Sequence, residues 1–289
     1  MLTADDRTLG LYRFDEDQLP IMLDQSEAAA HGQLEDGSLD LAIDSLRRQT
    51  RGGLWFSRED LTALTDGDGQ NGCYVDVPLE LAPEQSRTIE AIVVTRRVPP
   101  PKTNVSQYVV TLAGNLALKQ YNEIFTFFPW PEVYPFEPMP PTRRRSVRPG
   151  QRLYLAATTD AAAVQCFVDG ERECGYRITD NASFARPLQI GSRGELDLTT
   201  AYPFSGVIEQ VRISDGVREP KSDAVPDSLE ADEQTIALYD FRRDFTGERR
   251  AEAAGNESTP IADVSGNGHD ATLWNGSWLG PLTSSAATD

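Results

Sequence analysis

The chain has 289 residues with 45 acidic and 27 basic side chains, giving a formal net charge of -18. That length can bury a sizeable core as one large all-β domain or two smaller ones, and the acidity argues against general affinity for nucleic acid or anionic membranes, which bind basic surfaces. No run of about 18 apolar residues exists to insert across a membrane, and three cysteines, Cys73, Cys166 and Cys174, are too few for a disulfide scaffold and lack zinc-site spacing.

The opening "MLTADDRTLG" lacks the basic and apolar regions of a secretory signal, so the protein either stays inside or is part of a longer chain. The phrase that follows, "TLGLYRFDED" from Thr8, reads as a strand. It returns near the other end as "TIALYDFRRD" from Thr235, with identity at Thr8/Thr235, Leu11/Leu238, Tyr12/Tyr239 and Phe14/Phe241. The likeness continues from "LDQSEAAAHGQLEDG" to "ADVSGNGHDATLWNG", which aligns Asp24 with Asp263 and Ser26 with Ser265. Such Asp-x-Ser turns use the carboxylate to accept backbone N–H bonds, or bind calcium. Both histidines of the chain, His31 and His269, fall inside this motif and are expected to tie down strand starts by hydrogen bonds.

Further along, "SLDLAIDSLRRQ" reads as one short helix, while "LAID" and "LWFS" read equally well as strands. "TDGDGQNG" places Asp66, Asp68 and Asn71 on a glycine-rich loop. Those hard oxygen donors suit calcium, and the same sequence also suits a plain hairpin turn.

Strand signals dominate the middle of the chain. "CYVDVPLEL", "TIEAIVVTRR", "QYVVTLAG", "RLYLAATT", "VQCFVDG", "RPLQIGS" and "FSGVIEQVRIS" are short, rich in Val, Ile, Tyr and Phe, and separated by Gly, Pro or Asp. That spacing predicts an all-β sandwich or barrel. Between them, "FTFFPWPEVYPFEPMPPTRRRSVR" is too rich in proline for a central strand and is expected to project as a flap. Its aromatics Trp130, Tyr134 and Phe136 read either as a stacking platform for a ligand or as pins holding the flap to the body. Arg143, Arg144, Arg145 and Arg148 read as a solvated face or as a contact for an anionic partner.

In "VQCFVDGERECGYRI", Asp169-Gly170 suits a type I′ hairpin turn, which needs φ > 0 at both positions. A two-residue turn sets Cys166 opposite Glu173 and puts Cys166 and Cys174 on opposite faces, so a disulfide between them would require a bulge. "ELDLTTAY" carries Glu195 and Asp197 at the alternation a glycosidase strand uses, but Thr200 stands where a last carboxylate belongs. No nucleophile elbow, phosphate-binding loop or His-Glu-x-x-His is present, so the chain is expected not to be an enzyme. Four Asn-x-Ser sequons, at Asn104, Asn181, Asn256 and Asn275, carry meaning only in a eukaryotic secretory protein.

Taken in order, "LYRFDE", "YVDVP", "TIEAIV", "RLYLAATTD", "VDG", "PLQIG" and "PFSGVIEQVRIS" resemble the laminin-G-like branch of the concanavalin A-like lectin/glucanase superfamily over Thr8 to about Ser214. The resemblance implies a jelly-roll sandwich of two antiparallel sheets over residues 1–216, an acidic linker at 217–234, and a C-terminal repeat at 235–289 that is either docked on the sandwich, the preferred reading, or the beginning of a second module. The repeat is too short to bury a core of its own, and left alone it would expose an edge-pairing apolar strand.

The resemblance further implies non-catalytic recognition of carbohydrate or glycan. Trp130, Tyr134, Phe136, Arg143 and Arg145 would contact the ligand, and Asp66, Asp68 and Asn71 would hold calcium as the cofactor. The alternative is a structural or adhesive module that binds a protein partner within a larger surface or appendage assembly. Relatives favour an extracellular or cell-surface setting.

Overall fold

The computed structural model of the chain describes residues 21–22, 32–35, 38–41, 43–56, 74–80, 85–98, 106–112, 116–121, 124–129, 136–138, 146–160, 163–178, 187–191, 201–220, 225–243, 258–274 and 277–279. The first copy of the repeated phrase, together with Asp24, Ser26, His31 and Cys73, lies outside them. In chain order the elements are β1 (Ile21–Met22), β2 (Gly32–Glu35), β3 (Ser38–Leu41), α1 (Ile43–Gln49), β4 (Gly53–Phe56), β5 (Tyr74–Glu80), β6 (Arg87–Thr95) and β7 (Arg97–Val98). Then come β8 (Ser106–Leu112), β9 (Leu116–Tyr121), β10 (Ile124–Pro129), β11 (Phe136–Pro138), β12 (Arg152–Thr159), β13 (Ala163–Val168), β14 (Glu171–Ile178) and β15 (Pro187–Ile190). The last are β16 (Ala201–Pro203), β17 (Gly206–Asp215), β18 (Thr235–Asp240), β19 (Ser258–Ile261), β20 (Ala271–Trp274) and β21 (Ser277–Leu279). The stretch that read two ways is thus strand at "SLDL", helix at "IDSLRRQ" and strand again at "GLWF".

These strands form the expected sandwich. One large sheet runs β11-β14-β13-β12-β6-β17-β4-β21, with β18 also paired to β17; the other runs β10-β9-β8-β15-β5-β20-β19, with β16 beside β8. Pairing is antiparallel except for β16 with β8, and a small sheet, β1-β2-β3-β7, stands apart. Between the two large sheets lies the main core, built from alternate residues such as Val75 and Val77 of β5, Ile89, Ala91 and Val93 of β6, Leu153 and Leu155 of β12, and Ile208, Val211 and Ile213 of β17.

Residues after 234 add to both layers. β18 pairs with β17, β20 with β5, and β21 with β4. Ala237, Tyr239, Phe241, Ile261, Ala271 and Leu273 all join the main core. A fully buried aromatic such as Tyr239 or Phe241 contributes about 1.5–3 kcal/mol, and their rings stack with centroids 6.3 Å apart.

Burial along the strands shows what covers each face. β13 alternates between buried and half-buried residues, as a strand covered on one side must. β6 and β12 are buried at nearly every position, so both of their faces are covered. The inner face meets the core; the outer face is closed by two pieces of the same chain. At one end Leu46 of α1 packs on Trp55, Val94 and Val207. In the middle, residues 225–234, the second half of the stretch expected to be a linker, lie across the sheet. Leu229 packs with Ile92, Tyr154, Ala156 and Leu238, and Val225 and Val264 fill in around them.

Polar groups under this strap are closely matched. The Glu90 carboxylate takes a bidentate pair from Arg212, Nε at 2.6 Å and Nη2 at 2.7 Å, and the Tyr154 hydroxyl donates to it at 2.6 Å. Burial, and next the charge of Glu90, pushes the Tyr154 phenol far above its ordinary value, so it remains a donor. Glu209, without exposed surface, accepts from Arg152 Nε at 2.9 Å, the Thr50 hydroxyl at 2.9 Å and the Arg51 backbone N–H at 2.8 Å. The same arginines reach the strap's carbonyls: Arg152 donates to Pro226 at 3.0 Å and Arg212 to Glu230 at 2.6 Å. Gln210 completes the closure by accepting from the Leu229 N–H at 2.8 Å.

Removing one partner of a buried pair strands the other charge. Arg212→Ala should therefore cost about 3–5 kcal/mol in urea denaturation. Arg51→Ala, whose pair with Asp227 is half exposed on one side and 84% exposed on the other, should cost no more than about 1 kcal/mol.

Candidate functional site

The outer face of the nine-stranded sheet is closed at its centre; on the outer face of the eight-stranded sheet the outward side chains of β5, β15 and β20 are only partly covered, while Thr111 of β8 and Lys119 of β9 are buried. β5, "YVDVPLE", turns Val75, Val77 and Leu79 to the core, which leaves Tyr74, Asp76 and Pro78 on the outside. β20, "ATLW", buries Ala271 and Leu273 and turns Thr272 and Trp274 outward. β15 buries Leu188 and Ile190 and presents Gln189.

Register assembles these into two rows. Thr111, Gln189, Asp76 and Thr272 are consecutive partners across β8, β15, β5 and β20. Gln189 donates its amide to Asp76 Oδ1 at 2.9 Å, which orients both groups. One step of alternation away, about 6–7 Å along the strands, Tyr74 stands opposite Trp274. Their rings are stacked, with centroids 6.5 Å apart and planes 26° from parallel.

Tyr74, Asp76, Gln189, Thr272 and Trp274 are all half-buried. Burial, then the neighbouring Asp76 charge, raises the Tyr74 phenol above its ordinary value. The Trp274 indole N–H is buried and makes no hydrogen bond among the described residues. Chemically the face offers a flat aromatic pair beside an amide, a carboxylate and hydroxyls. At its buried end, Lys119 lies over the Tyr108 and Tyr121 rings at 5.5 and 5.8 Å.

Of the residues singled out from sequence, the structure describes Phe136 alone among the expected ligand and calcium contacts. Trp130, Tyr134, Arg143, Arg145, Asp66, Asp68 and Asn71 lie outside the described residues, as do Glu195 and Asp197. Phe136 opens β11, whose backbone pairs with Ile178 at the edge of the nine-stranded sheet. Tyr74, Asp76, Thr272 and Trp274 were readable as outward positions of alternating strands. Their meeting was not, because β5 and β20 are separated by most of the chain.

The second copy of the repeated motif builds a turn. Asp263 accepts from the backbone N–H groups of Leu238 at 3.0 Å, Ser265 at 2.9 Å and His269 at 3.1 Å. Burial favours its neutral form, but these hydrogen bonds outweigh it and hold the carboxyl below its ordinary value. With its oxygens so engaged, Asp263 acts as the backbone acceptor of the turn. His269 is tied in through its backbone: its carbonyl accepts from the Tyr239 hydroxyl at 2.6 Å.

Comparison with known proteins agrees with this architecture. A laminin G family model described as concanavalin A-like lectin/glucanases superfamily matches residues 68–222, more than half of the chain. The chain belongs to this superfamily. The match takes in β5 through β17 and ends before the strap, so the superfamily region itself contributes Tyr74, Asp76 and Gln189, and the C-terminal residues contribute Thr272 and Trp274.

Among solved structures, a presumptive carbohydrate-binding protein from Bacteroides ovatus aligns at a TM-score of 0.51 and 14% identity, over 81% of this chain. This superfamily member spans 60% of that protein's length. A mutant Trypanosoma rangeli sialidase with trans-sialidase activity aligns at a TM-score of 0.32 and 16% identity, covering 45% of this chain and 20% of its own. Domain 4 of a Geobacillus stearothermophilus extracellular arabinanase, in complex with arabinotriose, aligns at 0.28 and 13%, covering 71% and 79%. No curated protein matches the sequence.

The Asp263 turn gives a signed expectation. Because its folded pKa is depressed, its stabilisation is complete above the unfolded value of about 3.9 and is lost as pH falls through the lower folded value. Asp263→Asn should cost about 1–3 kcal/mol at pH 7. The gap from wild type should narrow in urea titrations repeated near pH 3.

Proposed function

We propose that this chain is a non-catalytic recognition module that binds carbohydrate on the outer face of its eight-stranded sheet. The observation that carries the reading is the Tyr74–Trp274 stack beside the Gln189–Asp76 pair, half-buried on the outer face of one sheet of a sandwich whose other sheet is strapped across its centre. A sugar ring presents an apolar C–H face that suits an aromatic plane, and hydroxyls that suit a carboxylate and an amide. Membership of a superfamily of lectins and glucanases supports carbohydrate as the ligand class.

The flap belongs to the same reading, with Trp130, Tyr134 and Phe136 stacking on ligand and Arg143 and Arg145 reaching its polar groups. Calcium held by Asp66, Asp68 and Asn71 would stiffen the loop that leads into β5 three residues later. The setting that suits such a module is extracellular or at a cell surface.

A glycan array followed by calorimetry on the strongest ligand tests the proposal. Trp274→Ala and Asp76→Ala should each weaken binding at least about tenfold, the loss of about 1.4 kcal/mol, with thermal unfolding used to confirm the fold. Trp130→Ala reports separately on the flap. Silence on the array, with oligomers or co-purifying protein by light scattering, would replace the carbohydrate reading with a structural or adhesive module. Turnover of a glycan that disappears in Glu195→Gln would make the protein a hydrolase.

EDTA should lower the melting temperature of the wild type and leave an Asp66→Asn/Asp68→Asn variant unchanged. An equal melting temperature with and without chelator removes calcium from the reading.

A further inference from the structure

The hairpin of β13 and β14 turns at Asp169-Gly170, with φ of 49° and 79°, the two positive values a type I′ turn requires. Val168 pairs with Glu171 and Phe167 with Arg172. Uninterrupted pairing would then set Cys166 against Glu173 and send the two cysteines to opposite faces. The ladder instead shifts between Phe167 and Cys166, so that Cys166 pairs with Cys174 and Glu173 becomes the extra residue of a β-bulge.

The bulge brings both thiols to the same side. Cys166 is fully buried in the main core, and Cys174 packs against that core while keeping part of its surface exposed. Directly opposed residues of an antiparallel pair have Cα atoms about 4.5–5.5 Å apart, inside the roughly 4.4–6.8 Å that a disulfide spans. The two thiols, free in this structure, are joined by a hydrogen bond, and the Thr126 hydroxyl lies 3.4 Å from the Cys174 sulfur.

We propose that Cys166 and Cys174 are a disulfide-forming pair that reacts with small-molecule disulfides such as oxidised glutathione. Attack begins at Cys174, the less buried of the two residues. The hydrogen bond from Cys166 favours its thiolate against the cost of burial, and the Thr126 hydroxyl and the Phe127 backbone N–H add to that. The same hydrogen bond, together with burial, pushes the Cys166 thiol up and keeps it protonated until the second step.

The Cys174 thiolate attacks one sulfur of the small disulfide, whose S–S bond breaks. One glutathione leaves as a thiolate and takes up the proton that Cys174 released. Cys166 then gives up its own proton and attacks the Cys174 sulfur of the mixed disulfide, expelling the second glutathione, which is protonated in turn. Two protein thiols are oxidised by two electrons, and one glutathione disulfide is reduced to two thiols. The cross-link fixes β14 two residues from Tyr176, which pairs with Pro138 of β11. It thereby stiffens the strand that holds the end of the proline-rich segment.

Arg172 lies between the two cysteines, so trypsin separates them onto the peptides 153–172 and 173–177. After the folded protein is incubated with oxidised glutathione and capped with iodoacetamide, mass spectrometry should find these peptides joined, two hydrogens lighter than their sum and separated by dithiothreitol. Cys166→Ser, which cannot close the bridge, should instead accumulate a glutathione adduct on Cys174. Recovery of both peptides alkylated and unlinked, linkage of either to the Cys73 peptide, or absence of the Cys174 adduct in Cys166→Ser would each overturn the proposal.

Discussion

Coverage of the outer face of the nine-stranded sheet governs the rest of this molecule. β6, β12 and β17 carry apolar runs that a one-sided sheet would leave exposed to water, and they also carry Glu90, Glu209, Arg152 and Arg212. Such a face is stable only when something excludes water from the apolar residues and leaves no charge without its counterpart. Residues 225–234 do both. Leu229 and Val225 supply the apolar cover, while the backbone carbonyls of Pro226, Asp227 and Glu230 accept further N–H groups of the two arginines. The arginines thus bind in two directions, down to the sheet carboxylates and up to the strap.

That closure divides the labour between the sheets. One is buried on both sides across its centre and serves as the rigid floor of the core. The other keeps an outer face on which side chains from β5, β15 and β20 stand half-buried in fixed register. A recognition surface gains from such a base because its groups are held before the ligand arrives, and the entropic cost of ordering them has already been met in folding. The Gln189–Asp76 hydrogen bond and the Tyr74–Trp274 stack are products of that preorganisation.

Residues beyond 234 bind the layers together. β18 lengthens one sheet, β19 and β20 lengthen the other, and the Asp263 turn joins them by accepting from Leu238 of β18 just before the chain reaches β20. One carboxylate thereby ties the β19–β20 connection, in one layer, to β18 of the other. The bulge at Glu173 has a comparable local effect in the β13–β14 hairpin, where a single extra residue reverses the facing of every position beyond it.

Local chemistry was legible in the amino-acid sequence because it depends on near neighbours. The short Val- and Ile-rich runs meant strands, Asp169-Gly170 meant a hairpin, and Asp263 two residues before Ser265 offered a carboxylate-capped turn or a calcium ligand, of which the structure shows the turn. Alternation within "YVDVP" and "ATLW" also determined that Tyr74 would share a face with Asp76, and Thr272 with Trp274. Tertiary structure alone decided the rest, since periodicity carries no record of which distant segment lies alongside. It placed β20 next to β5, laid 225–234 over a sheet where composition suggested only an acidic linker, made a helix of "IDSLRRQ" by giving Leu46 an apolar surface to cover, and put Cys174 opposite Cys166 through a bulge that no spacing rule announces.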